Sequence, residues 1–223
     1  MNAGLSPISL FAVLWRPVPT LRRVAEERRA FPGFIMVALY AVLALVASIA
    51  FVLTGVTRRQ LEQGLPPDGL DAVVRATEIG GPISAAVTPF LFWVSVSLLM
   101  QLTTRFFNGT GPLSSVLGVV GVAQAPLLVA AVLVSLLTGL QLLIGAGTAA
   151  GVALGYLVSL IGPASLLWYA VLVVIGASQA RDIGYGESAG SCAISCVGLG
   201  ILIIVVAVLA GVGILAAVNA AAP

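Results

Sequence analysis

A glutamine and a proline, Gln124 and Pro126, lie near the middle of residues 106–180, a stretch without any charged side chain. Proline inside a helix removes one backbone donor and crowds the carbonyl four residues earlier, so it kinks the helix. In hydrocarbon the freed carbonyl needs a new partner, and the nearby Gln124 amide can supply one. The pair therefore marks either a packed helix break or a polar site inside a membrane.

Two further prolines, Pro89 and Pro163, fall in other apolar segments and predict interrupted helices there as well. Broken helices around a central site are typical of transporters, whereas a packed kink with local hydrogen-bond repair needs no ligand. Ion transporters usually carry an ionisable residue inside a span. The spans predicted below contain no acidic or basic residue, and this favours the packing interpretation.

The composition excludes several kinds of chemistry. The chain of 223 residues is 60% hydrophobic and 8% charged, whereas a soluble domain carries about 25% charged residues. All ten basic residues are arginine, so there is no lysine for a phosphate-binding loop and no histidine as general base or metal ligand. Ten basic residues nearly balance eight acidic ones, so the composition does not indicate a basic surface for nucleic-acid binding. We expect an integral membrane protein that is not an enzyme and that uses no cofactor or metal.

Apolar length predicts an all-α, polytopic bundle of transmembrane helices. About 20 apolar residues are needed to cross the hydrocarbon. Five segments meet this length and form a membrane domain at 33–218: they are 33–56, 82–104, 114–138, 157–180 and 192–218.

Residues 139–156 are ambiguous, because they can form a further span, a re-entrant or interfacial segment, or an extension of a neighbouring helix. Arginine prefers the cytoplasmic side of a membrane. With two spans in residues 106–180, Arg105 and Arg181 lie on the same side as the N-terminal tail, and three arginines lie opposite. With three spans, Arg181 changes sides. The distribution favours five spans, with the N-terminus in the cytoplasm and the C-terminus outside.

Residues 1–32 are predicted to form a separate amphipathic segment on the cytoplasmic side. Its pattern predicts two short helices, the second at 21–29 with Thr20 as its cap, followed by a turn at Pro32–Gly33. Apolar and aromatic residues such as Trp15 beside arginines suit a segment in the membrane interface. A disordered basic tail is the alternative, and the aromatic residues argue against it.

Gly147, Gly151 and Gly155 repeat at intervals of four residues. In a helix such a repeat forms a ridge that lets another helix approach closely, in the same chain or in a second copy. This interpretation requires that residues 143–157 are helical, and the alternative is a glycine-rich loop.

The polar loop at 180–190 and the N-terminal tail are predicted to lie on the same side of the membrane, where they can form a partner-binding surface. An ordinary connecting loop is the alternative. The candidate residues of this surface are Arg22, Arg23, Arg181, Asp182 and Tyr185.

Three stretches resemble the bacterial branch of the Yip1-domain family. They are "LWRPVPTLRRVAEE" (14–27), "RFFNGTGPLSSVLGVVGVAQAPLL" (105–128) and "WYAVLVVIGASQARDIG" (168–184). The resemblance implies five spans, a cytoplasmic N-terminus and a C-terminus on the far side. It also implies that Gln124 and Pro126 belong to the fold.

The expected function is generic. Eukaryotic members of the family bind Rab-type GTPases, but their acidic signature is absent here. Arginine as the sole basic residue and the Ala-, Gly- and Val-rich composition are typical of a bacterial chain. We therefore expect no Rab partner, but a non-enzymatic scaffold or adaptor in the bacterial inner membrane. It would contact lipids, bind other membrane proteins or further copies of itself, and shape the bilayer. The alternative is a small transporter or permease subunit with a site near Gln124 and Pro126.

Overall fold

The computed structural model describes the backbone of residues 7–64, 70–145 and 147–221, and that part of the chain is helical apart from short turns. Side chains are described for residues 9–58, 61–62, 70–145, 147–201 and 204–205. The helices are α1 (Pro7–Leu10), a 3₁₀ turn (Phe11–Leu14), α2 (Pro17–Glu26), α3 (Phe31–Leu53), α4 (Val56–Gly64), α5 (Leu70–Arg105), α6 (Leu113–Val122), α7 (Ala125–Ile144), α8 (Ala149–Arg181) and α9 (Tyr185–Ala221).

Four helical units in the described part are long and apolar enough to cross a membrane: α3, α5, the pair α6–α7, and α8. With 33 residues and about 1.5 Å per residue, α8 exceeds the roughly 30 Å of hydrocarbon. These units contain the first four predicted spans, so the predicted all-α polytopic bundle is confirmed. The fifth predicted span, 192–218, falls in α9, and most of its second half lies outside the described side chains. The count of five spans therefore stays a prediction.

Two helices, α5 and α8, are longer than the spans predicted in them. The second span was expected to begin at residue 82, but α5 begins at Leu70 and runs through Pro82. Likewise α8 begins at Ala149 rather than near residue 157. The physical reason is that hydropathy marks the part of a helix that meets lipid, whereas helical hydrogen bonding continues into its polar or less apolar turns.

Residues 139–156 extend two neighbouring helices. They comprise the end of α7, a turn in which Gly145 has φ 95°, and the start of α8, where the Thr148 hydroxyl accepts a hydrogen bond from Gly151 N at 3.0 Å. Residues 106–180 therefore contain two long helical units, the arrangement that the arginine distribution favours.

Contacts place three segments at one end of the bundle. Thr110 N donates to Arg181 O at 3.1 Å, which joins the α5–α6 and α8–α9 connections. Ser115 Oγ donates to Ala25 O at 3.1 Å, which joins α6 to α2. We name this end the arginine-rich end, because the N-terminal segment and both connections contribute arginines to it. The α7–α8 turn lies at the opposite end.

The short helix α6 is the centre of the packing at the arginine-rich end. Every residue from 118 to 126 is buried, and α6 contacts α2, α3, α5 and α8. Gly33 of α3 lies so close to α6 that an added Cβ would be 2.8 Å from Gly118 O. The predicted turn at Pro32–Gly33 is wrong, since both residues lie inside α3. Proline is tolerated in a first helical turn, because its missing N–H is not needed there.

The N-terminal segment packs against the membrane helices. Its helix α2 begins at Pro17 with Arg16 before it, so Thr20 does not cap it as predicted. Leu21 and Val24 are fully buried, and they belong to the same hydrophobic core as Val119 of α6. The core is thus continuous across the boundary predicted at residue 32.

Candidate functional site

The segment around Gln124 and Pro126 is a helix break. Helix α6 ends at Val122 and α7 begins at Ala125, so Pro126 lies in a first turn that needs no donor from it. Ala123 N donates to Val119 O at 2.8 Å, which keeps the break bonded by backbone groups. Gln124 is only 1% exposed, yet neither atom of its amide has a hydrogen-bond partner among the described residues. The expected repair of the break by the Gln124 amide is therefore not seen.

The other two predicted break positions lie within continuous helices. Pro89 is inside α5 and Pro163 is inside α8. Pro89 is buried and Pro163 is exposed. Neither proline ends its helix, but Pro89 and Gly162, the residue before Pro163, both line a cavity.

This interhelical cavity has a volume of about 700 Å³ and lies between α3, α5, α7 and α8. Its walls are largely apolar, and none of its described lining residues is charged. The first three turns of α7 form one wall, so the α6–α7 break directs α7 along the cavity. Five lining residues carry hydroxyl groups: Tyr40, Ser84, Thr88, Ser135 and Ser165. Gln124 and Pro126 do not line it.

The three glycines of the predicted ridge lie in different surroundings. Gly147 is in the turn before α8, so residues 143–157 are not one helix. Gly151 is buried, and its carbonyl accepts a hydrogen bond from Gln141 Nε2 at 3.0 Å. An added Cβ on Gly155 would be 3.1 Å from the same Gln141 nitrogen. Gly151 and Gly155 thus serve contact between α7 and α8 within one chain.

Arg181 is buried, with 2% of its surface exposed. Its Nε donates to Thr104 Oγ1 at 3.0 Å, and its Nη2 donates to Gly109 O. The prediction that Arg181 lies on a partner-binding surface is wrong, because its guanidinium group is used to hold the ends of α5 and α8 together. The following residue, Asp182, adopts a left-handed conformation with φ 54° and ends α8.

The other four predicted surface residues, Arg22, Arg23, Asp182 and Tyr185, are exposed at the arginine-rich end. The Arg22 guanidinium pairs with Glu26 one turn away, at 3.0 Å. Because both side chains are well exposed, this pair contributes little to stability.

Exposed aromatic residues accompany the arginines at this end. Trp15 is 67% exposed, Phe31 65% and Phe106 76%. Aromatic rings together with arginines are typical of residues at the boundary between lipid and water. The arginine-rich end therefore has the composition of a membrane interface. The side of α2 that faces away from the core forms part of this end.

Sequence reasoning missed the residues that hold the helices together at the arginine-rich end. Trp93 Nε1 of α5 donates to Leu117 O of α6 at 2.8 Å. Gly33 packs against Gly118 and Gly121 of α6. The spacing of Gly118 and Gly121 places both on one side of a helix, and this was the available signal.

Helix α9 joins the bundle through hydroxyl groups. Thr103 and Ser195 share a hydrogen bond of 3.1 Å between their side chains, and Ser188 Oγ donates to Val174 O of α8 at 2.7 Å. Such contacts between helices are suited to a lipid environment, where apolar surface alone gives little preference for a neighbouring helix over lipid.

The long apolar helices, their interfacial aromatic residues and the polar contacts between them define a polytopic α-helical integral membrane protein. The model of the Yip1 domain matches residues 11–215. The match includes most of the N-terminal segment as well as the membrane helices, and the chain belongs to the Yip1 domain family. No curated protein and no solved structure matches the chain significantly.

Proposed function

We propose that this protein is a non-enzymatic membrane scaffold whose arginine-rich end binds an acidic surface of a partner protein. The observation that carries the proposal is the docked helix α2. Its buried side, Leu21 and Val24, fixes it on α6 and α8. Its other side presents Arg22 and Arg23 to the surroundings.

Charge and packing both support a binding role for this end. Arg105 and Tyr185 are exposed at the arginine-rich end, as are Arg16 and Arg22 of the N-terminal segment. A surface rich in arginine and aromatic groups resembles the centres of protein interfaces, where both residue types are enriched. Because the helix is held in place before a partner arrives, binding costs little ordering of the backbone.

The proposal includes an orientation. Arginines near the ends of membrane spans favour the cytoplasmic side, so the arginine-rich end faces the cytoplasm of a bacterial cell and the α7–α8 turn faces outside. The partner is then a cytoplasmic protein, or a membrane protein with an acidic cytoplasmic surface. The permease alternative has less support, since Gln124 and Pro126 are buried in packed protein and do not line the interhelical cavity.

Site-specific photocrosslinking in the native membrane tests the proposal. A photoreactive amino acid replaces Val18, an exposed residue of α2 one turn before Arg22, so that the arginines are kept. In a matched variant it replaces Arg75, an exposed arginine of α5 near the opposite end. We expect a discrete protein adduct from position 18 and none of the same mass from position 75. Labelling of lipid alone at position 18, or the same adducts from both positions, would contradict the proposal.

A further inference from the structure

We infer that the interhelical cavity binds the acyl chain and ester group of a diacyl membrane lipid. Its volume of about 700 Å³ lies within the roughly 300–1,000 Å³ typical of small-molecule sites. All four surrounding helical units are long and apolar enough to cross a membrane. The cavity is partly open, and lipid hydrocarbon surrounds the membrane-spanning parts of these helices.

Small residues keep the cavity free of protein. Ala44, Ala131 and Gly162 line it, and a Cβ added to Gly162 would meet no atom within 4 Å. Protein interiors are normally close-packed, and the walls of an unfilled space lose dispersion contacts. An acyl chain that enters from the bilayer restores these contacts. Because it comes from lipid, it does not have to be transferred out of water.

The hydroxyl groups select the polar part of the ligand. Ser84 and Ser165 already donate to carbonyls of their own helices, at 2.9 and 2.8 Å. Tyr40, Thr88 and Ser135 have no hydrogen-bond partner among the described residues. Each can donate to a carbonyl oxygen, which an ester group of a lipid supplies.

The absence of charge limits how deep the lipid enters. None of the described lining residues is charged, and a phosphate without a charged or strongly donating partner is costly to bury. The site therefore takes the neutral acyl and ester region of the lipid, while the headgroup stays at the membrane surface.

Photolabelling of the full chain in phospholipid nanodiscs tests this site. The label is a phosphatidylcholine with a diazirine in one acyl chain, and labelled peptides are mapped by mass spectrometry. We expect labelling of lining peptides that contain Thr88 and Ser135, above the level on the outer faces of α3 and α8. The variant Gly162→Leu places a side chain in the cavity. Because each displaced methylene weakens apolar binding about fourfold, displacement of two lowers cavity labelling roughly 15-fold.

Gly139→Leu is the matched control. Gly139 lies in α7 outside the lining, and a Cβ there also meets no atom within 4 Å. We expect unchanged labelling of the cavity in this variant. Equal labelling of the wild type and Gly162→Leu, equal losses in both variants, or labelling spread evenly over the lipid-facing surface would overturn the site. Gly162→Ala, with a smaller expected loss, replaces Gly162→Leu if the leucine variant does not fold.

An ether-linked label tests the ester contact. It lacks the ester carbonyls, so we expect it to label the cavity less than the ester-linked phosphatidylcholine does. The difference should shrink in Thr88→Val with Ser135→Ala, because two of the three available donors are then removed and only Tyr40 remains. Equal labelling by the two lipids in the wild type would overturn the role of the hydroxyl groups.

Discussion

The close contact between α3 and α6 gives a prediction whose magnitude follows from geometry. In Gly33→Ala the new methyl group would lie 2.8 Å from Gly118 O and 3.1 Å from Gly118 Cα, and real Cβ atoms essentially never approach closer than 3.0 Å. Both neighbours are backbone atoms, so the two helices must move apart. Such overpacking costs about 1–3 kcal/mol.

A second glycine separates this effect from helix propensity. Replacing glycine by alanine inside a helix stabilises it by about 0.5–1 kcal/mol. Gly139→Ala should show this gain alone, because its Cβ meets nothing within 4 Å. We therefore expect Gly33→Ala to be less stable than Gly139→Ala by about 1–3 kcal/mol, or about 2–12 °C in Tm.

Thermal unfolding in detergent micelles measures this difference, with tryptophan fluorescence as the signal. Trp93 is a suitable reporter, since its indole nitrogen donates to Leu117 O next to the contact. If Gly33→Ala and Gly139→Ala unfold at the same temperature, α3 and α6 are not in the close contact described here.

Two further predictions concern buried polar side chains. Arg181→Leu removes the donors to Thr104 and Gly109 and should lower the free energy of unfolding by about 1.5–3 kcal/mol. The control Arg105→Leu, at an exposed position, should change it by less than about 0.5 kcal/mol. Equal Tm values for the two variants would refute the role of Arg181. Gln124→Leu removes a buried amide with no partner among the described residues. It should leave the free energy of unfolding unchanged or raise it by about 1–3 kcal/mol. A marked fall in Tm would show that the Gln124 amide makes a stabilising contact.

Hydropathy was sufficient to predict the class of fold. The apolar segments lie inside α3, α5, α6–α7 and α8 because burial in lipid requires both apolar side chains and an internally bonded backbone. Hydropathy does not report where a helix ends, and for this reason α5 and α8 run beyond the predicted spans 82–104 and 157–180. For residues 139–156, hydropathy left open whether they form a further span, and the arginine distribution favoured two spans in residues 106–180.

The contacts at the arginine-rich end were less predictable. Arg181 was expected on the surface because it lies in the polar loop at 180–190. The hydroxyl and carbonyl that accept its bonds come from the end of α5 and the loop after it. Gly33 was assigned to a turn because it follows proline. Only its position opposite Gly118, 85 residues later in the chain, explains why a glycine is needed there.

The interhelical cavity could not be predicted from sequence. Its lining residues Tyr40, Thr88 and Ser135 are separated along the chain and meet only through the packing of α3, α5 and α7. The sequence predicted helix breaks at Pro89, Pro126 and Pro163, and the helix is interrupted only just before Pro126. It could not show that Pro89 lines the cavity and that Gln124 does not.

Purification in mild detergent from the native membrane tests the scaffold proposal most directly. The wild type is compared by quantitative mass spectrometry with Arg22→Glu, which reverses a charge on α2, and with Arg75→Glu near the opposite end. We predict that one partner protein is recovered in near-stoichiometric amount with the wild type and Arg75→Glu and is lost with Arg22→Glu. Recovery of the same proteins with all three, or of none with the wild type, would contradict the proposed role of the arginine-rich end.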